Sequence, residues 1–289
     1  MRYYLVIIVG ILAVSFAAIF IRIADEAPAL IIAAYRLSIA TVIMSPYAIR
    51  RVKRQWSNYT PSTFRWNLLS GVFLAFHFAT WIASLKYTSV ASSVVLVTTN
   101  PLWVSILGWI FLKEKPRSLV LVGIFLSLFG TVIMSWGNFA QSETHFLGDM
   151  LALAGAFFAS LYFLTGRQLR QTISATVYSY VTYSIAAVLL VIMALIGGFQ
   201  WTGYSLTTYS MFLLLAVVPQ IIGHTSFNYA LRYVPAVIVA IAILGEPIGS
   251  STLAWILLDE PITKSTVLGG IFILLGVFLA VYTRERRAD

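Results

Sequence analysis

The chain repeats itself after 146 residues without a gap, and this repeat constrains its fold more than any other feature. Pro101 recurs as Pro247, and Glu114 recurs as Glu260. Further matched pairs are Leu85 with Leu231, Tyr87 with Tyr233, Trp109 with Trp255, Gly123 with Gly269, Leu128 with Leu274 and Gly130 with Gly276. Each copy has room for five apolar spans. Because five is odd, the second copy must enter a bilayer in the opposite direction to the first.

The composition indicates that a bilayer is the solvent of this chain. About 60% of its residues are hydrophobic and about 10% are charged, whereas soluble domains carry about 25% charged residues. A crossing helix needs about 20 apolar residues, and ten such stretches are found near residues 3–23, 29–49, 65–85, 89–112, 118–136, 147–166, 176–197, 209–230, 235–258 and 264–283. The predicted fold is an all-α integral membrane protein with ten transmembrane helices, in two inverted five-helix repeats at 1–137 and 146–289.

The net charge of +9 is distributed unevenly between the two predicted sides of the membrane. With the N-terminus inside, one side carries Arg2, Arg50, Arg51, Lys53, Arg54, Arg65, Lys113, Lys115, Arg117, Arg167, Arg170, Arg232, Arg284, Arg286 and Arg287. The other side carries only Arg22, Lys86 and Lys264. Since cytoplasmic loops hold the Lys and Arg excess, both termini are predicted to be cytoplasmic. Membrane topology and contact with anionic lipid headgroups then explain the positive net charge, so no nucleic-acid partner is expected.

Paired motifs in the two halves resemble those of a known family. The first half reads ASLKYTSVAS at 83–92, NPL at 100–102 and FLKE at 111–114, and the second reads GHTSFNYAL at 223–231, EP at 246–247 and LDE at 258–260. This text resembles the EamA-type permeases of the drug/metabolite transporter superfamily, over essentially the whole chain. The resemblance implies ten spans in inverted halves of five, with spans five and ten as a lateral scaffold. It also implies a multi-pass protein of the bacterial inner membrane, in a branch that exports metabolites such as amino acids.

Two prolines lie near the middle of the fourth and ninth predicted spans. Pro101 and Pro247 each remove a backbone hydrogen bond from their helix, and in hydrocarbon the freed carbonyl must find a partner or line a wet cavity. The preceding residues, Asn100 and Glu246, are equivalent under the repeat. Polar groups at matching helix breaks indicate a transport site, although a packing kink with internally bonded side chains remains the structural alternative.

Two charged residues are predicted to lie inside the membrane. Glu246 is the only acid near the core of any span, and an ionisable group at that depth is a functional hypothesis by default. It is the candidate for proton coupling or for holding a substrate ammonium group, with a fixed structural carboxylate as the alternative. Arg36 cannot be neutralised in practice. It is predicted to bind a substrate carboxylate or to pair with Glu246, unless it bonds Asp25 or Glu26 near the surface.

Other polar and aromatic residues complete the predicted substrate site. His77 and Trp81 are four apart on one face of the third span, and Gln220, His224 and Asn228 form a polar stripe on the eighth. Such a stripe faces the bundle interior, for transport or for hydrogen bonds between helices. The full predicted substrate-binding set is Asn100, Glu246, Arg36, His77, Trp81, Tyr35, Trp103, Asn228, His224 and Tyr183.

These observations predict a secondary transporter that exports small organic solutes, amino acids or related metabolites, by alternating access. Proton antiport through Glu246 is the sharper form of this prediction, and an uncoupled facilitator or exchanger is the alternative. An integral-membrane enzyme acting on a lipid-linked substrate is less favoured, because no cluster of acids is visible. No cofactor and no metal site are predicted, and the chain has no cysteine. Glycine faces on spans five and ten leave monomer and homodimer open.

Overall fold

A computed structural model describes residues 2–55, 59–112, 118–139 and 143–285, and in these ranges all regular structure is helical. The helices are α1 (Arg2–Ser15), α2 (Ala17–Ile23), α3 (Ala29–Arg54), α4 (Pro61–Ser84), α5 (Val90–Val97), α6 (Asn100–Leu112), α7 (Ser118–Phe139), α8 (Glu143–Leu169), α9 (Ala175–Ile196), α10 (Leu206–Leu215), α11 (Thr225–Ala230), α12 (Ala236–Ala242), α13 (Glu246–Leu258) and α14 (Lys264–Glu285). A π-helical segment, Ala216–His224, joins α10 to α11, and a 3-10 turn, Ile243–Gly245, joins α12 to α13.

Eight helical stretches among the described residues are long and apolar enough to cross a membrane. They are Leu5–Ile23, Ala29–Arg54, Pro61–Ser84, Val90–Phe111, Thr144–Leu169, Ala175–Ile196, Leu206–Ala230 and Ala236–Leu258. The predicted all-α membrane class is therefore confirmed. α7 and α14 are two further apolar helices of 22 residues each.

Several helices begin or end away from the predicted span limits, for local reasons. α3 continues to Arg54, five residues past the predicted end at 49, so the basic cluster forms its last turns. α4 begins at Pro61 rather than 65, because Thr60 caps it: the Thr60 hydroxyl accepts the Thr63 backbone N–H at 3.1 Å. Proline is well suited to a first helical position, where no N–H partner is needed.

The ends of the helices gather at two opposite sides of the bundle. We call the end where α1 begins the N-side, and the opposite end the far side. On the far side the Thr88 hydroxyl donates to the Asp149 carboxylate at 3.0 Å. On the N-side the Ser174 backbone N–H donates to the Gln55 side chain at 3.1 Å. Successive membrane-crossing stretches therefore run in alternating directions, and some stretches contain two successive helices, as the first does with α1 and α2.

The helix pairs in closest contact join the two parts of the sequence. α4 packs on α8, α3 on α9, and α1 on the π-helical segment and α11. α5 crosses α13 while α6 crosses α12. α7 and α14 pack mainly against each other, so closely that a Cβ on Gly130 would lie 2.5 Å from the Gly269 carbonyl oxygen. The core thus lies between α1–α6 and α8–α13.

Two helix interruptions meet near the middle of this core. Residues 98–99 form a turn between α5 and α6, and the 3-10 turn separates α12 from α13. α6 begins at Asn100 and α13 begins at Glu246, which are 146 residues apart. The π-helical segment lies in the preceding membrane-crossing stretch, between α10 and α11, and contains Pro219. Wide turns of this kind are frequent at functional sites.

A buried polar pocket as the candidate functional site

A small closed pocket lies at the junction of the two helix groups. About 30 Å³ of space is open inside it, which is room for about two water molecules. Its polar lining comes from six different helical elements and the turn between α5 and α6, and consists of Arg36, His77, Trp81, Thr98, Asn100, Tyr162, His224 and Glu246. Each of these side chains is at most 9% exposed. The polar lining of the pocket is therefore almost entirely hidden from bulk solvent.

Arg36 is held firmly at one edge of the pocket. Its Nε donates to the Gln220 side-chain oxygen at 2.8 Å, and its guanidinium carbon lies 4.1 Å above the centre of the Phe78 ring. Both Nη atoms are buried and have no hydrogen-bond partner. A buried charge without a directly paired counter-charge is strongly destabilising. The two Nη atoms of Arg36 therefore have hydrogen-bonding capacity that the described protein groups do not use.

Three further nitrogen atoms near Arg36 are buried and unpartnered. They are Nε1 of Trp81, Nε2 of Gln220 and Nδ1 of His224. Buried polar groups in folded proteins nearly always have a partner, so a cluster of exceptions needs a reason. Trp81 and His224 line the pocket itself. The part of the chain that the structure describes thus collects unused nitrogen atoms around one cavity.

Glu246 contributes the single carboxylate of the pocket lining. Its side chain is 6% exposed, and it interacts electrostatically with Arg36. Their charged atoms nevertheless form no direct ion pair within 4 Å, unlike those of Arg22 and Glu260. The pocket therefore separates a positive group from a negative group across a small space.

Asn100, the equivalent of Glu246, is bonded within the protein. With its amide oriented to suit its neighbours, Nδ2 donates to the carbonyl oxygens of Val97 and Ala156, each at 2.9 Å. Val97 stands four residues before Pro101, so its carbonyl is the one that the proline leaves free. Asn100 thereby ties the broken helix to α8. The two equivalent positions have different roles in the structure.

The two pocket histidines lie side by side. Their ring centres are 6.2 Å apart, and His77 Nδ1 is 2.9 Å from the Gly155 carbonyl oxygen. The His77 ring also stacks on Trp81 with 5.9 Å between centres. Among the described residues, no group of three His, Asp or Glu side chains is arranged to hold a metal ion.

Four residues of the predicted substrate set lie outside the pocket lining. Tyr35 donates to the Trp201 carbonyl oxygen at 2.9 Å, and Trp103 packs edge-to-face on a neighbouring phenylalanine of α8. Asn228 accepts the Tyr162 hydroxyl at 2.6 Å and donates to Ser179 at 2.9 Å. The Tyr183 hydroxyl lies 3.3 Å from that of Thr225 and is likewise part of the packing between helices.

Tyr162 lines the pocket and Gln220 bonds Arg36 beside it, and neither was in the predicted substrate set. The polar stripe on the eighth span predicts that Gln220 faces the interior, but not which group it meets. Its partner Arg36 is 184 positions away in the sequence. The sequence signal for Tyr162 is weaker still, because tyrosine is common in membrane helices and at their ends.

Comparison with known proteins places the chain in a family. The EamA-like transporter family matches residues 1–136 and 146–282. An uncharacterized transporter of Archaeoglobus fulgidus is 27% identical over 215 residues, which is 73% of each chain. One from Clostridium kluyveri is 23% identical over 259 residues, covering 87% of this chain and 82% of its own.

The fold is similar to that of a solved crystal structure. This similarity covers 100% of this chain and 99% of the solved chain, with a TM-score of 0.73 and 16% identity. Identity that low supports the fold alone. The family match spans both halves of the chain and confirms the resemblance that the paired motifs predict. The protein belongs to the EamA-like transporter family and is a membrane transporter.

Proposed function

We propose that the protein is a secondary transporter that exports small organic solutes, amino acids or related metabolites, by alternating access to the buried pocket. The observation that carries this proposal is the pocket itself. It lies between the two helix groups, is lined by buried side chains, and presents Arg36 and Glu246 without direct pairing. A pocket with that composition suits a solute that carries its own charges.

The proposed architecture is two inverted five-helix repeats, and the packing supports it. Under the 146-residue offset, α5 is equivalent to α12 and α6 to α13, so the contacts α5–α13 and α6–α12 are reciprocal. The contact of α1 with the eighth span corresponds to that of α8 with α4. Such exchange of contacts is expected of two copies related by an axis in the membrane plane.

The proposed orientation places the N-side in the cytoplasm of a bacterium. Basic residues at the ends of α3 and α8 lie on that side, including Arg51, Lys53 and Arg167. On the far side the described basic residues are Arg22, Lys86 and Lys264. This asymmetry supports cytoplasmic termini and a place in the inner membrane.

Side-chain contacts across the far side would keep the pocket shut from outside. Arg22 and Glu260 form an ion pair at 3.1 Å between the first and second halves. The Glu26 carboxylate accepts the Ser205 and Thr208 hydroxyls, again across the halves. These contacts must separate when the far side opens. The proposed cycle is therefore a rocking of α1–α6 against α8–α13, with α7 and α14 to one side.

Proton antiport is the coupled form of the proposal, with Glu246 as the exchanging group. It is the one carboxylate of the pocket, and Arg36 is close enough to influence it. A proton and a substrate ammonium group would then compete for the Glu246 carboxylate. The alternative is an uncoupled facilitator or exchanger, in which Glu246 holds substrate alone.

Transport by purified protein in liposomes tests the proposal. Counterflow of labelled amino acids and other metabolites should be measured with and without an imposed pH gradient. An inward gradient of protons should drive solute out in the wild type, and Glu246→Gln should abolish the response to the gradient. Asp25→Asn is the matched control, since it removes an exposed far-side acid.

Two results would count against the proposal. Flux that ignores the pH gradient in both the wild type and Glu246→Gln would remove the proton-coupled form and leave uncoupled exchange. No counterflow with any solute in the set, from protein shown to be folded, would remove the transport cycle around this pocket.

A further inference from the structure

We infer that the substrate carries a carboxylate and that Arg36, Trp81 and His224 form the subsite that binds it. The inference rests on the proposed function, because it assigns a chemical class to the solute that the central pocket would carry. It follows from the unused hydrogen-bonding capacity around Arg36, from the way the guanidinium is fixed, and from the charge count of the pocket.

The first step concerns the nitrogen atoms that have no partner. Nη1 and Nη2 of Arg36, Nε1 of Trp81 and Nδ1 of His224 are all buried and unbonded within the described structure. Arginine and indole nitrogens can only donate, and His224 joins them in the tautomer with hydrogen on Nδ1. Their side chains are 0%, 3% and 9% exposed, so bulk water cannot satisfy them. A ligand rich in acceptor atoms would.

The second step concerns the orientation of the guanidinium. Gln220 accepts the hydrogen bond from Nε, and the guanidinium carbon lies over the Phe78 ring. The free edge is therefore the one formed by Nη1 and Nη2. Two parallel N–H groups on a planar edge match the two oxygens of a carboxylate. Gln220 acts here as a positioning residue, held in the π-helical segment.

The third step is the charge count, which favours a carboxylate over a phosphate. Arg36 is the one Arg or Lys of the pocket lining, and Glu246 is its one acid. A zwitterion places a carboxylate at Arg36 and an ammonium group at Glu246, so every charge has a counterpart. A phosphate dianion would place its second charge near Glu246, where like charges repel.

The remaining lining describes the body of the solute. Trp81, Tyr162, Phe163 and Phe227 supply aromatic walls, and Val14 and Ile243 supply aliphatic ones. The solute class is therefore an α-amino acid with an apolar side chain, and the pocket, with about 30 Å³ of open space, must widen to admit it as the two helix groups move apart. An amine without the carboxylate would leave the buried nitrogen donors around Arg36 without an acceptor.

Thermal unfolding of the purified full-length protein with matched ligands tests the inference without any transport measurement. The probes are leucine, methionine and phenylalanine, each beside its amide and its decarboxylated amine, with inorganic phosphate and sulfate as competing anions. A ligand stabilises the folded form according to its concentration and affinity. At least one amino acid should raise the unfolding temperature, and its amide and amine should bind at least tenfold more weakly.

Variants connect the selectivity to the residues. Arg36→Lys keeps the charge but removes the two-nitrogen edge, and should bring the acid and its amide within about threefold of each other, where tenfold corresponds to 1.4 kcal/mol. Gln220→Glu should abolish binding, because its carboxylate would pair with Arg36. Tyr35→Phe is the control: it lies next to Arg36 but bonds the Trp201 carbonyl away from the pocket.

The outcomes separate this inference from the proposed function. Equal stabilisation by an amino acid and its amide, stronger stabilisation by phosphate, or unchanged selectivity in Arg36→Lys would overturn the carboxylate subsite and leave transport intact. No stabilisation by any amino acid would overturn it as well. Selective binding without counterflow in liposomes would support the subsite and overturn the transport cycle.

Discussion

The ion pair between Arg22 and Glu260 gives the most direct test of how the pocket opens. Arg22 Nη2 lies 3.1 Å from Glu260 and donates to the Thr88 carbonyl oxygen at 2.7 Å. Glu260 in turn accepts the Val90 backbone N–H at 2.9 Å. One arginine therefore joins the end of α2 to the loops that precede α5 and α14. Arg22→Gln removes both its charge and most of its reach.

The structure sets the size of the expected effect. The two side chains are 29% and 23% exposed, so the ion pair contributes about 0.5–1 kcal/mol after solvent screening. The hydrogen bond from Arg22 to the Thr88 carbonyl lies within the first half, so it does not resist separation of the halves. Losing the ion pair alone shifts a two-state equilibrium by roughly 2–5-fold toward the open form.

Thiol labelling measures this shift directly, because the chain contains no cysteine. Ala159 lines the pocket and is 3% exposed, so Ala159→Cys reacts with a membrane-impermeant maleimide only when the pocket opens. Labelling from the far side should be roughly 2–5-fold faster when Arg22→Gln is added. Lys86→Gln is the matched control. It removes a far-side cation whose bond, to the Asp25 carbonyl, lies within the first half.

Equal labelling rates for Arg22→Gln and Lys86→Gln would refute this reasoning. So would acceleration seen only from the N-side, because the ion pair joins far-side loops. In either case the Arg22–Glu260 contact would be a surface ion pair that does not hold the far side of the pocket closed.

Three further predictions concern packing, buried hydrogen bonds and acid stability. Gly130→Ala should lower the unfolding temperature, because the added carbon meets backbone of α14 and this overpacking reduces the free energy of unfolding by about 1–3 kcal/mol. In Gly270→Ala the added carbon meets nothing within 4 Å, so this variant should be neutral. Asn228→Leu should destabilise by about 1–3 kcal/mol in thermal unfolding, since it leaves the buried Tyr162 hydroxyl without its acceptor. Hydroxyl groups that donate to Glu26 hold the pKa of its carboxyl below the ordinary 4.5. That contribution is present above pH 4.5 and lost as the pH falls below it, so the stability difference between wild type and Glu26→Gln should shrink in acid.

Sequence reasoning reaches the parts of this structure that depend on local rules. The apolar runs predict the helices, because each run is long enough to cross a bilayer by itself. The repeat relates Asn100 to Glu246 because equivalent positions need only a constant offset. The missing N–H of Pro101 is likewise a property of one residue, so the place where a helix is weakened can be read directly.

The rest depends on contacts between distant residues. Nothing near Asn100 in the sequence shows that its amide bonds α8, or that Glu246 is left facing open space. Tyr35 and Trp103 lie in membrane helices like any cavity residue, but the rotation of their helices turns them elsewhere. The π-helical segment has no marker beyond Pro219, and periodicity predicts that Gln220 faces the interior but does not identify Arg36 as its partner.

The unequal chemistry of the two helix breaks limits how much one turn of the cycle can carry. Two identical halves would set either a pair of acids or a pair of amides against each other across the pocket. A pair of acids would repel, and a pair of amides would bind no ion. With the amide of Asn100 committed to backbone, one titrating site remains. Under the proposed antiport, the expected stoichiometry is therefore a single proton for a single solute, and the net charge moved per cycle is the difference between the charge of that solute and the charge of the proton.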